Sequence, residues 1–379
     1  MSTAVKPAWM LGPVREPLAP EVSKRIDVLR ILLMFLIVLN HGAKGVTVRI
    51  GDPGPLTTLM VTLFNDHIIL VTVPLFFAIS GFLFLRKFEL SLAAYGEMLR
   101  KKFFSLFIPY VLFNIWIVAW FYFVGSIETM GSWNYFVAHG LWAKIFGVGG
   151  YATPVNYPLW FLRDLMLVFV LSPVLLLFLK EAPGVGLVTL FVLWTGLDHD
   201  PYSYHSYFFM FYLGGFVARS RLSLSGRSWW QRFGALVFVV LTVVLVAHVS
   251  FGFKADAVWR FLFKCYLMIG LAFFWYVSSF PRIRDSAMLH RMARFSFFIY
   301  LAHEPTVSIF QTRLLSVWVP ASDVQQTMFY FITGVAVTFF LWGVGEVFSR
   351  FLPRVYAVVT GARLPKRKPL PAPLAAQAR

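Results

Sequence analysis

The sequence predicts an all-α polytopic membrane protein of about ten transmembrane helices with both termini cytoplasmic, and three observations carry that prediction. Hydrophobic residues make up 59% of the 379 and charged ones only 13%, where soluble domains carry about 25% charge; mean hydropathy is +0.72. Apolar windows of about 20 residues, the length needed to cross a bilayer, recur from end to end. Lysine and arginine gather in every second connection between those windows, the pattern that cytoplasmic loops leave.

In order, the windows cover residues 26–48, 66–85, 103–125, 158–179, 184–198, 204–218, 233–251, 258–279, 294–315 and 326–349. The fifth and sixth are short for straight spans and read as tilted partners or as a broken hairpin, whose loss would leave both termini where they are. Phe136 to Val148 is too short to cross and reads as an interfacial segment. Lys24 and Arg25 precede the first window, and Arg86, Lys87, Arg100, Lys101 and Lys102 lie between the second and third. Arg219, Arg221, Arg227 and Arg232 follow the sixth, and Arg282, Arg284, Arg291 and Arg294 precede the ninth. The intervening connections hold only Lys44, Arg49, Lys144 and Lys254. This alternation calls for an even number of spans. It also accounts for most of the +17 net charge through topology and attraction to anionic membrane lipid, without a nucleic-acid partner.

Residues 1–25 read as a cytoplasmic N-terminal tail without the apolar core of a secretory signal, and 26–350 as one transmembrane unit. Residues 351–379, with Pro365, Pro369, Pro371 and Pro373, read as a disordered cytoplasmic tail. The single cysteine, Cys265, allows no intramolecular disulfide.

The first window carries the strongest chemical signal. Arg30 and His41 are eleven residues apart, so on a helix they stand about 20° from alignment and about 16 Å apart along the axis. Ionisable side chains within a membrane segment are costly enough to mark function, and here two lie along one line. His41 suits a general base near neutral pH, and Arg30 suits an anionic ligand or a surface anchor. Asp27 and Arg25 would pair with Arg30 in a charge cluster at the membrane surface.

Other windows add polar positions. Ser80 and Gly81 in the second either let helices approach closely or line a passage for a thin substrate arm. Arg100, Lys101 and Lys102 read as membrane-face anchors or as a phosphate site. At the fourth window Trp160 and Phe161 suit an aromatic belt or a sugar-facing wall, and Arg163 beside Asp164 a self-neutralising pair or a substrate contact. His303 and Glu304 enter the ninth window together, which requires a cavity or partners. The remaining histidines form no ligand set and no metal is expected; glycine-rich phosphate loops and serine elbows are missing from the sequence.

Together these stretches resemble the membrane acyltransferase 3 family. Arg30, ten residues, then His41 is similar to that family's first-helix motif, and Phe76, Phe77, two residues, Ser80 and Gly81 to its second. Leu159 to Phe161 and Ser296 to His303 resemble two further family segments, and the likeness runs from residue 24 to about residue 350. The third-helix pattern departs: where the family commonly has two arginines three apart, this chain has Lys102 and Ser105 ahead of Pro109, so Arg100 or Lys101 could substitute. With no fused esterase-like domain, the chain resembles stand-alone members that modify glycans.

The resemblance implies transfer of an acyl group, usually acetyl, from cytosolic acyl-coenzyme A to a carbohydrate hydroxyl at the outer face of a bacterial cytoplasmic (inner) membrane, the acceptor being an exopolysaccharide or surface-glycan intermediate, lipid-linked or not. In that scheme His41 and Arg30 are catalytic, with His41 either deprotonating the acceptor or first taking the acyl group. Arg30, Arg100, Lys101, Lys102, Ser80 and Gly81 hold acetyl-CoA, and Trp160, Phe161, Arg163, Asp164, His303 and Glu304 border the sugar. The competing reading is a secondary transporter or lipid-linked glycan flippase using His41, His303 and Glu304 as a proton relay.

Overall fold

The computed structural model describes residues 13–14, 16–124, 140–148, 153–198, 203–220, 222–252 and 256–362. Each apolar window is helical over most of its described length, and no strand occurs among the described residues. The main helices are α1 (Pro20–Lys44), α2 (Pro55–Leu85), α3 (Leu92–Trp120), α4 (Trp160–Val170), α5 (Ser172–Glu181), α6 (Pro183–Leu197), α7 (Tyr204–Arg219), α8 (Trp229–Ser250), α9 (Ala257–Val277), α10 (Ala287–Ala293), α11 (Ser296–Leu315), α12 (Asp323–Phe351) and α13 (Pro353–Thr360). Among the described residues α2, α3, α8, α9 and α12 are long and apolar enough to cross a membrane, and α4 with α5 would form a sixth crossing as one bent span. At 16 residues α7 falls short of the roughly 20 a straight span needs.

Local sequence explains where these elements start and break. Proline opens α1, α6 and α13, at positions whose N–H has no helical partner in any case. Ser203, Asp256 and Ser322 cap α7, α9 and α12 by accepting the N–H of Ser206, Trp259 and Gln325. The fourth window is not one straight helix: it bends by 54° between α4 and α5. Pro173 causes this, since its ring displaces the turn that would bond Phe169, whose carbonyl accepts from the Ser172 hydroxyl at 2.7 Å instead. The ninth window divides too. Its first residues close α10, and α11 leaves helical geometry at Glu304 (φ −106°, ψ 130°), the residue that Pro305 excludes from the α region.

At the chain ends the helices run past the windows. α1 begins at Pro20, within the stretch expected to be tail. α13 lies within 351–379, and its Tyr356 packs on Phe295, Phe298 and Phe348. Residues 363–379 lie outside the described residues, as do Phe136 to His139 of the interfacial segment, which otherwise carries a short helix, Leu141–Phe146.

The first helix is the axis of the molecule. Leu29 and Leu33 join one apolar core, Ile31, Met34 and Val38 a second, and Leu39 and Ala43 a third. Its base is fixed by Arg25, which is 0% exposed. That guanidinium donates to the carbonyls of Leu224 (2.7 Å), Gly226 (3.0 Å) and Trp275 (2.5 Å) and lies over the Trp275 ring. Arg25 is therefore not part of a cluster with Arg30; five residues apart, the two face different sides of α1. Near that end Lys24 bonds Asp285 at 2.9 Å, and the Arg284 guanidinium, with Lys24 second, draws the Asp285 carboxyl down to about 2.

Crossing α2, α7 packs backbone to backbone. A Cβ at Gly81 would stand 1.9 Å from the Phe211 carbonyl oxygen, and one at Gly214 1.9 Å from that of Ala78. Small residues at these two points permit the crossing.

Candidate active site

A cavity of about 810 Å³ runs along one face of α1. Asp27, Arg30, Met34, Ile37 and His41 line it at steps of three or four, the spacing of a single helical stripe, with Asn40 beside His41 at its edge. Arg30 and His41 thus open onto the same space at opposite ends, about 16 Å apart along the axis. On the facing wall α2 runs the other way, with Thr72 and Val73 toward His41, Phe76 and Ser80 between, and Phe84 toward the Arg30 end.

The Arg30 end is cationic. Arg30, with a side chain 42% exposed, pairs with Asp27 at 3.6 Å. The Lys102 ammonium lies 3.6 Å above the Phe169 ring and pairs with no carboxylate among the described residues. His290 and Arg294 line the same end; Arg294 stands 4.0 Å from Glu346, and the His290 ring bonds the Arg284 carbonyl at 2.7 Å. The middle of the cavity is apolar, walled by Met34, Phe76, Phe161, Leu165 and Phe297 with the Ser80 hydroxyl among them.

At the other end His41 is 9% exposed and held in a chain of hydrogen bonds. The Tyr157 hydroxyl lies 2.5 Å from His41 Nδ1 and donates to Glu304 Oε1 at 3.2 Å; Glu304 Oε2 accepts from the Ser308 hydroxyl at 3.1 Å. A phenol has one proton. Given to Glu304, it leaves the oxygen to accept from His41 Nδ1–H, and Nε2 becomes the ring's proton acceptor. His303 packs against His41 with ring centroids 4.9 Å apart. Its Nδ1 is bonded to the Tyr300 carbonyl at 2.7 Å, and its Nε2 has no hydrogen-bond partner among the described residues. The break in α11 makes this arrangement possible, because it turns Glu304 out of the helical ladder toward Tyr157.

The structure separates residues that the sequence grouped. Arg30, Ser80, Lys102, Trp160, Phe161 and His41 line the cavity. His303 and Glu304 sit behind His41, acting on it rather than bordering open space. Arg100 and Lys101 are exposed outside the cavity, and Lys101 is paired with Glu97 at 2.7 Å; the helical turn allows one residue of the three to face inward, and that is Lys102. Gly81 faces α7, one position from Ser80 and so turned about 100° away from the cavity. Arg163 bonds Asp164 and the Gly147 carbonyl, both at 2.7 Å, so this pair fastens α4 to the helix 141–146 instead of lining the cavity. Among the described residues no group of three or more His, Cys, Asp or Glu could hold a metal ion.

Asn40, Tyr157, His290, Arg294 and Tyr300 escaped the sequence reading. Arg294 reads in the sequence as a topology anchor and His290 as one of the scattered histidines, and Tyr157 stands just ahead of the fourth window. The pair His303–Glu304 was the available signal that a partner had to exist nearby.

Comparison with known proteins points the same way. The family described as an acyltransferase domain, acyltransferase 3, matches residues 23–344. The chain is 28% identical over 373 residues to the succinoglycan biosynthesis protein ExoH of Rhizobium meliloti (strain 1021), covering 94% of this chain and 97% of that protein. No solved structure matches.

Proposed function

The chain belongs to the acyltransferase 3 family, and we propose on that premise that it moves an acyl group, acetyl in the simplest case, from cytosolic acyl-coenzyme A to a carbohydrate hydroxyl at the far face of a bacterial inner membrane. About ten crossings with both termini cytoplasmic would place the Arg30 end of the cavity inside and the His41 end outside. The acceptor is an exopolysaccharide or surface-glycan intermediate, a reading supported by the relative named for succinoglycan biosynthesis.

One observation carries this proposal: a single cavity joins a cationic mouth to a hydrogen-bonded histidine through an apolar passage. Arg30, Lys102 and Arg294 suit the phosphates of the coenzyme, with Arg as a two-pronged donor and Lys as a point charge. The apolar stretch beside Ser80 suits its thin arm, and Trp160 and Phe161 offer flat faces to a sugar. His41 Nε2 takes the proton of the acceptor hydroxyl as its oxygen attacks the thioester carbonyl. The C–S bond breaks, and the thiolate leaves and is protonated to free coenzyme A. Tyr157 and Glu304 stabilise the imidazolium formed in that step.

The test is acyl-coenzyme A binding and transfer by the protein in lipid nanodiscs, comparing acetyl-CoA with a dicarboxylic acyl-CoA. Saturable binding that Arg30→Ala weakens, together with thioester consumption that needs a glycan acceptor, supports the proposal. No binding at millimolar donor by a folded protein, with glycan flux across the bilayer, would replace it with a transporter.

A further inference from the structure

Tyr157 bonds His41 from the very start of a helical run: the short turn Tyr157–Leu159 leads directly into α4, while the residues just before it, 153–156, have no regular structure of their own. Side chains from two other helices hold the main chain on either side of it. Before it, Asn114 Oδ1 on α3 accepts the Asn156 N–H at 3.0 Å, while Asn114 Nδ2 donates to the Tyr110 carbonyl of its own helix at 2.9 Å. After it, the Tyr300 hydroxyl on α11 donates to the Pro158 carbonyl at 2.7 Å. Asn114 is 0% and Asn156 1% exposed.

An amide buried in an apolar helix is costly unless satisfied, and an apolar residue there would carry no such cost. Outside its own helix Asn114 bonds Asn156, the residue next to Tyr157. Nothing else on α3 reaches the strap at that point with a hydrogen bond among the described residues.

We propose that Asn114 is a positioning residue of the active site: by holding the main chain of Asn156 it sets the Tyr157 phenol between Glu304 and His41 and so fixes the ring of the base. Its effect on turnover rests on the acyltransferase reading; its effect on His41 does not.

The experiment is a double-mutant cycle on the full-length protein in nanodiscs. Asn114→Leu keeps the bulk and removes the acceptor, and Asn114→Asp keeps an acceptor oxygen in place. Asn114→Leu should lower kcat by about 100-fold with KM for the acyl donor unchanged, the scale expected for a base displaced by about 1 Å. Asn114→Asp should restore at least about tenfold of that loss. Combined with Tyr157→Phe, Asn114→Leu should add nothing to the loss from Tyr157→Phe alone, because both act through one phenol. Unchanged kcat in Asn114→Leu, or losses that multiply, would overturn the proposal.

A readout independent of turnover is the reaction of His41 with diethyl pyrocarbonate, counted on its peptide by mass spectrometry. Both single variants should change that rate equally and the double variant no further. A wild type that consumes no acyl donor while this coupling holds defeats the acyltransferase reading and leaves the role of Asn114 standing. Additive effects on His41 reactivity defeat the role of Asn114 whatever the wild type catalyses. Asn114→Ala carries the same cycle if the leucine variant does not fold.

Discussion

The two ends of the cavity are built differently. At one end His41 is almost fully buried and tied through Tyr157 to Glu304 and Ser308, each bond defined to a single atom. At the other, Arg30 is nearly half exposed and leans on Asp27 at 3.6 Å, Lys102 rests on an aromatic face, and Arg294 stands 4.0 Å from Glu346. Chemistry needs a group fixed within a fraction of an ångström, whereas holding phosphates needs charge that can adapt. Under the proposed function the contrast fits reaction at the His41 end and recruitment at the Arg30 end. It predicts that variants at the first lower kcat and variants at the second raise KM.

The largest effect should come from His41→Ala. Acyl transfer is expected to fall by at least about 10³, within the range a general base supplies, while the donor dissociation constant measured by calorimetry changes less than about twofold. Turnover within tenfold of wild type would remove His41 from the chemistry and erase the contrast. Tyr157→Phe comes next. It keeps the ring and deletes the hydroxyl that sets the His41 tautomer, so kcat should fall about 100-fold with KM unchanged. A KM effect instead would mean that Tyr157 touches the substrate.

At the cationic end the losses are smaller and of another kind. Arg30→Ala should weaken donor binding about tenfold, the loss of one charge-assisted contact. Lys102→Met should do about the same. Binding should weaken as salt rises from 50 to 500 mM, since exposed charges are screened over about 10 Å at 0.1 M. His41→Ala should show the same salt response as wild type. A salt-independent Kd would show that the mouth does not work by charge.

Much of this was legible in the sequence because helices repeat. The spacing of Arg30 and His41 fixes one face of α1 whatever surrounds it, and both line the cavity. The helical period also separates readings the sequence left open: Gly81 follows Ser80 directly, so the two cannot face the same way, and Gly81 is taken up by the crossing of α2 and α7. Arg163 and Asp164 satisfy each other and the Gly147 carbonyl, which a charge count cannot distinguish from a sugar site. Tyr157 was illegible for a deeper reason. It lies 116 positions from His41, and the main chain beside it is held by Asn114, by Tyr300 and by the Asn156 side-chain amide's own bond to the Leu301 carbonyl, contacts with other helices that no local pattern records.

The smallest expected effect is the sharpest test of how the mouth is drawn. Arg100, Lys101 and Lys102 are consecutive, and a donor site read from sequence would use them together. On the helix they point in three directions about 100° apart, and only Lys102 meets the cavity. Lys101 is occupied by Glu97 at 2.7 Å, and both side chains of that pair are 56% exposed to solvent. Such exposed pairs contribute about 0–1 kcal/mol. Arg100→Ala and Lys101→Ala should therefore each change the donor Kd by less than about twofold, against about tenfold for Lys102→Met. Equal losses at all three positions would mean that the coenzyme lies across the membrane face rather than entering the cavity, and the division between a reacting end and a recruiting end would have to be redrawn around the outside of α3.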